Sequence, residues 1–319
     1  MAVYNASASP VAVNFNGWLS INGVGDNYDT IATPVQTATQ FSEVIENGYR
    51  IDYFGSFSNY ARDDEWDPSL MAPQNAWITS INISLNNQLV SQLSGVDFEA
   101  RRVFSQDVAT QQALIYADND TIVGSAYTDR LAGYGGDDRI DGGAGQDTVF
   151  YGGAAVSYSV RAQEQGFVVS GPDGTDTLVN VERIQFGDKT IALDIDGNAG
   201  QAYRLYQAAF SRTPDEPGLG YWIGQIDAGM TLQQAANSFI ISAEFQSLYG
   251  TNLTDRAFVE KVYQNVLGRD YDQAGFNYWL DELERGVITR DGLLASFSES
   301  AENKANVVGQ IADGFEYLI

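Results

Sequence analysis

The sequence predicts a multidomain α+β protein in three parts. We expect a β-rich N-terminal domain at 1–112, a short parallel β-roll with a β cap at 113–196, and an all-α domain of helical repeats at 197–319. Three observations support this division. Apolar and polar residues alternate in parts of the first segment, glycine and aspartate recur at a fixed spacing in the second, and apolar residues fall at helical spacing in the third.

The chain is strongly acidic, and it has neither histidine nor cysteine. It holds 42 aspartates and glutamates against 17 lysines and arginines, for a net charge of −25. This charge argues against nucleic acid and anionic membranes as partners and favours metal cations or basic surfaces. The N-terminus lacks the regions of a cleaved secretory signal, and no apolar run is long enough to span a membrane. We therefore expect a soluble protein without a membrane span.

The N-terminal part contains two segments with the alternation of half-buried strands, around 49–57 and 81–85. The segment 38–48 between apolar stretches predicts a short helix or an irregular connection. The acidic stretch YARDDEWDP at 60–68 is typical of a glycan or cation site, or of a solvated loop with two packing aromatics. We favour the solvated loop.

Between residues 115 and 150 the sequence repeats every nine residues. The four nonapeptides are IYADNDTIV, GSAYTDRLA, GYGGDDRID and GGAGQDTVF. Each has an aspartate at its sixth place, namely Asp120, Asp129, Asp138 and Asp147. Each also has an aliphatic residue at its eighth place. Glycine opens the last three nonapeptides and recurs inside the third, at Gly124, Gly133, Gly142 and Gly135. This pattern fits the calcium-binding nonapeptide of parallel β-rolls.

Each part of the nonapeptide has a physical role. Glycine permits a tight turn whose carbonyl oxygens face inward. The aliphatic residue enters the core from a short strand, and the aspartate supplies the hard oxygen ligand that Ca²⁺ prefers. Because two nonapeptides make one coil, we expect Asp120 to stack with Asp138 and Asp129 with Asp147. A cation between stacked carboxylates would turn their repulsion into a bridge.

These repeats resemble those of RTX proteins, the hemolysin-type calcium-binding family that bacteria export by type I secretion. The segment 158–193 is similar to the β-rich cap that often follows RTX repeats, and it holds a degenerate fifth nonapeptide with Asp176. The resemblance implies Ca²⁺ as the bound ion, with Asp176 as a further candidate ligand. The first nonapeptide lacks its glycines, and Ala126 and Ala144 replace others, so the outermost turns are the weaker calcium positions.

After residue 200 the chain contains an internal repeat of helical pattern. LYQAAFSRTPDEPGLGYWI at 205–223 aligns with VYQNVLGRDYDQAGFNYWL at 262–280. Both copies carry R-x-x-D-x-x-G-x-x-Y-W, a pattern that resembles the DUF4214 family, which commonly follows RTX repeats and whose function is not defined. Asp215 and Asp272 are well placed as helix N-caps, and the aromatic residues would lock helices together.

The second copy also approximates an EF-hand loop. In DYDQAGFNYWLD at 270–281, Asp270 and Asp272 occupy the first and third places and Gly275 the sixth. The glutamate usual at the twelfth place is shortened to Asp281. We favour the structural role for these residues and keep Asp270 and Asp272 as additional candidate calcium ligands.

Composition excludes several classes of enzyme. Without histidine and cysteine, the chain cannot form a Ser-His-Asp triad, a cysteine nucleophile or a His-ligated zinc site. We expect no catalytic residues, and we expect a non-catalytic extracellular protein that acts in adhesion or in surface-layer or matrix assembly. The alternative is a carbohydrate-binding module or a carboxylate-based glycan-active enzyme.

The candidate partners are a second copy of the chain, held by calcium-dependent self-association, and a glycan or cell-surface ligand. The RTX resemblance implies an extracellular or cell-surface protein, exported by a type I system without an N-terminal signal peptide. The final residues DGFEYLI fit the uncleaved C-terminal signal of such substrates loosely, and they fit a packed chain end equally well.

Overall fold

The computed structural model describes residues 119–124 and 126–318, together with the backbone of five earlier strands. The chain divides into two compact units, Met1–Asp188 and Lys189–Ile319. The three domain boundaries expected from the sequence stay a prediction. The acidic stretch at 60–68 lies outside the described residues.

The earlier strands pair antiparallel with one another in a ten-stranded mixed sheet. They are β1 (Val3–Asn5), β2 (Gln40–Val44), β3 (Tyr49–Ser58), β4 (Asn75–Leu85) and β5 (Gln88–Glu99). Strands β2 to β5 form a meander, and β1 pairs with β5. Strands β3 and β4 confirm the two segments predicted from alternation. The prediction of a helix or irregular connection at 38–48 was wrong, because Gln40–Val44 pairs along β3 and so satisfies its backbone as a strand.

The nonapeptides form two stacked layers of short parallel strands. These strands are β6 (Thr121–Val123), β7 (Arg130–Leu131), β8 (Arg139–Asp141) and β9 (Thr148–Phe150). Strand β6 pairs with β8 and β7 with β9, so nonapeptides two apart are neighbours, as predicted. The aliphatic residues at the eighth places all point into the core and are at most 4% exposed: Ile122, Leu131, Ile140 and Val149.

The cap adds a third coil to the roll. Its strands are β10 (Ser159–Gln163), β11 (Gly166–Gly171), β12 (Gly174–Val179) and β13 (Arg183–Gln185). Strand β12 pairs in parallel with β8, and β13 pairs in parallel with β9. Leu178 therefore stacks beside Ile140, and Ile184 beside Val149, and all four side chains are fully buried. On the opposite side, β1 pairs in parallel with β6.

The second unit contains two copies of a four-helix arrangement. The first copy is α1 (Asn198–Phe210), α2 (Glu216–Asp227), α3 (Leu232–Ile240) and α4 (Ala243–Tyr249). The second is α5 (Asp255–Leu267), α6 (Gln273–Glu284), α7 (Arg290–Ser298) and α8 (Ala301–Ile311). Two short antiparallel strands, β14 (Thr190–Ala192) and β15 (Phe315–Tyr317), flank the helices. Phe315 and Tyr317 are buried, so packing accounts for the apolar residues at this end.

The repeated arginine holds equivalent helices together in both copies. Arg212 binds Glu244 at the start of α4, with Nε 2.8 Å from Oε1. Arg269 binds Glu302 at the start of α8 in the same way. Asp215 caps α2 by accepting a hydrogen bond from the Gly218 N–H, which confirms the predicted N-cap.

The EF-hand interpretation of 270–281 is not compatible with this backbone. Helix α6 begins at Gln273 and continues to Glu284, so Asp281 lies inside the helix and no twelve-residue loop forms. Asp272 is instead the N-cap of α6, with its Oδ1 2.8 Å from the Gly275 nitrogen, as the structural role predicted.

Two arginine–glutamate pairs of similar geometry differ sharply in burial. Arg204 is 2% exposed, binds both carboxylate oxygens of Glu299 and also donates to the Ile195 carbonyl. Arg269 makes a comparable two-pronged contact with Glu302 but is 39% exposed.

We expect Arg204→Ala to destabilise the helical unit by about 3–5 kcal/mol, because it removes a buried guanidinium from Glu299 and from the Ile195 carbonyl and leaves the partly buried Glu299 carboxylate with Lys304 alone, at 3.3 Å. The matched change Arg269→Ala should cost about 1 kcal/mol or less, because water replaces the lost partner at the surface. Urea unfolding followed by circular dichroism measures both. Equal losses for the two variants would contradict the dependence on burial.

Candidate metal centre

Six acidic residues form two rows that run across the stacked coils. The first row is Asp120, Asp138 and Asp176, and the second row is Asp129, Asp147 and Glu182. The five aspartates are at most 4% exposed. Five of the six residues come directly before a strand, and Asp176 lies near the start of β12, so each carboxylate is close to the junction of turn and strand.

In the first row, the carboxylates of Asp138 and Asp176 each accept a backbone hydrogen bond from the coil before them. The Asp120 nitrogen donates to Asp138 Oδ1 at 2.7 Å, and the Asp138 nitrogen donates to Asp176 Oδ1 at 3.0 Å. The Tyr151 hydroxyl closes the row by donating to Asp176 Oδ2 at 2.6 Å. The stacking of Asp120 on Asp138 is therefore as predicted, and the degenerate fifth nonapeptide places Asp176 in phase with both.

The second row is built in the same way but ends in a different residue. The Asp129 nitrogen donates to Asp147 Oδ1 at 2.8 Å, and the Asp147 nitrogen donates to Glu182 Oε2 at 2.7 Å. Sequence reasoning missed Glu182, because it follows no glycine repeat. The feature that could have identified Glu182 is its position directly before the strand Arg183–Gln185, because each nonapeptide has its aspartate directly before a strand.

The second oxygen of the repeat carboxylates faces the opening glycine of the same nonapeptide. A Cβ atom on Gly133 would lie 2.0 Å from Asp138 Oδ2, and one on Gly142 would lie 2.6 Å from Asp147 Oδ2. A side chain at these glycines would occupy the space beside the carboxylate. Asp138 Oδ2 and Asp147 Oδ2 are buried and have no hydrogen-bond partner among the described residues.

Burial makes the charged form of these carboxylates costly. The pKa of Asp138 is raised to about 7, mainly by burial and in smaller part by the nearby carboxylates of Asp176 and Asp120. Burial likewise raises the pKa of Asp147 to about 7, with Glu182 and Asp129 adding to the effect. A divalent cation beside the unbonded oxygens would offset this cost, and carboxylate oxygens are ligands that Ca²⁺ accepts.

The turns can supply the remaining oxygen ligands from the backbone. Within 119–124 and 126–318, no group of three or more acidic side chains is arranged to hold a metal ion. Aspartate can therefore provide only part of a coordination shell of about six to eight oxygens. The turn glycines Gly136, Gly143 and Gly145 adopt positive φ angles of 118°, 92° and 139°, which turns backbone carbonyls into directions that other residues rarely reach.

The other predicted ligands occupy different environments. Gly124 and Gly135 lie in the turns of the roll, as the repeat phase requires, although a Cβ atom on Gly135 would meet only the Asp173 carbonyl oxygen, at 3.8 Å. Asp137 lies one residue before Asp138, outside the repeated aspartate position; it is exposed and accepts a hydrogen bond from the Thr175 nitrogen. The candidates at 270 and 272 belong to the helical unit. Which of these residues coordinate Ca²⁺ stays a prediction.

A profile of the RTX calcium-binding nonapeptide repeat, with four copies, matches residues 116–149. The chain carries RTX calcium-binding repeats. These repeats bind calcium and are typical of secreted proteins. A second profile, the domain of unknown function DUF4214, matches residues 236–307 in the helical unit. The two families recognised from the sequence motifs are thus confirmed.

The remaining comparisons add little to the RTX repeats. Among solved structures, part of the chain is similar to the extracellular lipase LipA from Serratia marcescens at 20% identity, with a TM-score of 0.15. That match covers 23% of this chain and 13% of the lipase, so it supports no inference about activity. No curated protein matches the chain. In the described residues, every helix is too short or too polar to cross a membrane.

The replacement Asp138→Asn should affect the roll in opposite directions with and without calcium. At pH 8 the pH is above the pKa of the buried Asp138, which is about 7, so its carboxylate is ionised. In chelator, the neutral variant should therefore be more stable than the parent, by about 1–2 kcal/mol. In excess calcium the order should reverse, because a ligand is lost; saturating calcium at about 100 times its dissociation constant adds about 2.7 kcal/mol per site.

Thermal unfolding and calcium titration calorimetry measure both effects. Asp137→Asn is the matched control. It also removes one carboxylate charge, but from the exposed residue that precedes the repeated aspartate position. Equal loss of calcium affinity in the two variants would show that the phase assigned to the ligands is wrong.

The replacement Gly133→Ala should abolish calcium binding at the first row, because the new methyl group would overlap the Asp138 carboxylate at 2.0 Å. Gly135→Ala changes the same turn but meets its nearest atom at 3.8 Å, so calcium affinity should change by less than about twofold. Calcium titration calorimetry distinguishes them. A Gly133→Ala variant with parental affinity would argue against this position of the carboxylate.

Proposed function

We propose that this is a secreted, non-catalytic calcium-binding protein that acts in adhesion or in the assembly of a surface layer or matrix, with calcium ordering the roll after export. The observation that carries the proposal is the pair of buried carboxylate rows. Asp138 and Asp147 each keep one buried oxygen without a hydrogen-bond partner in the described part of the chain. A cation bound beside these two oxygens would supply the missing partner and offset the cost of the buried charges.

The ordering of the roll after export follows from calcium concentrations. Extracellular calcium sites typically have dissociation constants of about 10⁻⁴–10⁻³ M. At the low calcium of a cytosol such sites are empty, and the repulsion within each row keeps the roll loose. Outside the cell the sites fill, and binding free energy becomes folding free energy. A chain that stays loose until it is exported suits a type I secretion route.

A role without catalysis is supported by the chemistry of the chain. It has no histidine and no cysteine, which are the usual proton carrier and thiol nucleophile. In the described part, the carboxylates with raised pKa values belong to the two carboxylate rows, where backbone N–H groups and the Tyr151 hydroxyl bind them. Groups fixed in this way can coordinate a cation but are poorly placed to move protons to a substrate.

Assembly with further copies is supported by an exposed strand edge and by the net charge. Strand β10 is the end strand of its sheet and is mostly exposed, so one side of its backbone is available for pairing among the described strands. A charge of −25 repels a second copy. Bound calcium lowers that charge and can bridge carboxylates of two molecules.

Self-association should therefore increase at millimolar calcium and reverse when a chelator is added. Sedimentation velocity and light scattering over a wide range of protein concentration measure the mass. Sodium chloride at matched ionic strength is the control for screening, and Asp138→Asn is the control for occupancy of the roll. A protein that stays monomeric at millimolar calcium would refute the assembly role.

A further inference from the structure

A cleft of about 480 Å³ opens beside the roll, where strands β7, β9 and β13 end. Four aromatic rings and two polar side chains line it, namely Tyr134, Phe150, Tyr151, Phe186, Asp173 and Gln185. Its volume is within the range of small-molecule sites, which combine apolar surface with a few placed polar groups. No residue of the cleft belongs to the two carboxylate rows.

The floor of the cleft is fixed by the sheet. Phe150 and Gln185 are direct neighbours on β9 and β13, and both face away from the core that holds Val149 and Ile184. Arg130 lies over the Phe150 ring, with its guanidinium carbon 4.1 Å from the ring centroid. This contact holds the ring in place. The residue after β7, Ala132, also lines the cleft, and its side chain is small.

The walls of the cleft are tied to the calcium-binding turns. Asp173, in the turn between β11 and β12, accepts a hydrogen bond from the Tyr158 hydroxyl. Its carbonyl oxygen accepts another from the Gly136 nitrogen at 2.9 Å. Tyr151 packs against Phe186, with ring centroids 5.4 Å apart. The cleft is thus built on groups that also shape the roll.

Tyr134 is the least expected member of this cleft. It occupies the second place of the third nonapeptide, where the repeat pattern has glycine. Its φ of 68° is a left-handed conformation that costs stability for any residue with a Cβ atom. Such strain is retained mainly where a side chain serves a function. Burial raises the pKa of Tyr134 to about 12, so its hydroxyl keeps its proton at neutral pH.

We propose that this cleft binds a neutral saccharide. The partly exposed rings of Tyr134 and Phe150 offer apolar surface to the C–H faces of a sugar ring, whereas the rings of Tyr151 and Phe186 are 8% and 3% exposed and belong to the core. The Asp173 carboxylate can accept hydrogen bonds from sugar hydroxyls, and the Gln185 amide and the Tyr134 hydroxyl can both accept and donate. The residues that line the described cleft include no lysine or arginine, although Arg130 contacts the Phe150 ring, and the chain carries a charge of −25, so acidic sugars are disfavoured.

A quaternary ammonium ligand is the competing chemistry, because aromatic rings beside a carboxylate also suit such a cation. The ammonium group has no hydrogen-bond donor or acceptor and could make no hydrogen bond with the Gln185 amide or the Tyr134 hydroxyl. A sugar can bond with each polar group of the cleft. Because Tyr134 and Gly136 belong to the nonapeptide that contains Asp138, saccharide binding should also require calcium.

Isothermal titration calorimetry in millimolar calcium tests the proposal with cellobiose, lactose, maltose, mannobiose and chitobiose, and with choline as the competing probe. At least one disaccharide should bind, and chelator should remove the binding. Tyr134→Gly should weaken it by about tenfold or more, because the ring and the hydroxyl are both lost, and circular dichroism in calcium checks that the variant stays folded. Gln185→Leu should weaken binding as well. Tyr127→Ala, an exposed tyrosine outside the cleft lining, is the control and should bind as the parent does.

Three results would overturn the proposal: no disaccharide binds, choline binds in their place, or disaccharide binding survives both Tyr134→Gly and Gln185→Leu. None of these results depends on self-association. The proposed assembly role can therefore fail while saccharide binding holds, and the reverse is equally possible.

Discussion

The roll depends on one repeated interaction, the hydrogen bond from the backbone of one coil to an aspartate of the next. The bond from Asp120 to Asp138 fixes the register of the coils, and the equivalent bond from Asp129 to Asp147 does so on the other row. It uses one carboxylate oxygen and directs the other toward a glycine turn. The geometry that builds the roll is therefore the same geometry that prepares a cation site, which links folding to calcium without a separate binding domain.

The cap continues this interaction beyond the repeats. Asp176 and Glu182 accept the same backbone bonds as the repeat aspartates, although their strands are connected by a hairpin and a longer segment. The hydrophobic core of the roll also extends into the cap, because Leu178 and Ile184 stack on the aliphatic residues of the roll. A two-coil roll buries little apolar surface, and the third coil supplied by the cap completes its core.

The sequence predicted the parts of this site that follow from position in the nine-residue repeat. It missed the parts that depend on tertiary contacts. The nine-residue period was enough to place Asp138 in a row and Ile140 in the core, because a repeat imposes the same conformation on each copy. Glu182 has no glycine turn to mark it, and the strand at Gln40–Val44 is specified by its pairing with β3. The EF-hand pattern at 270–281 matched residue types, but helix propensity and the Asp272 cap determined the backbone.

The two compact units differ in how they neutralise their acidic side chains. In the helical unit, Glu299, Glu244 and Glu302 each bind an arginine, so their charge is neutralised within the fold. In the roll, Asp138 and Asp147 are surrounded by other carboxylates, and burial raises the pKa of both. An arginine is too large for the space beside a turn glycine, whereas a bare cation fits against carbonyl and carboxylate oxygens. Calcium removal should therefore act on the roll far more than on the helices, because the helices contain their counter-charges in the sequence and the roll must obtain its own from solution.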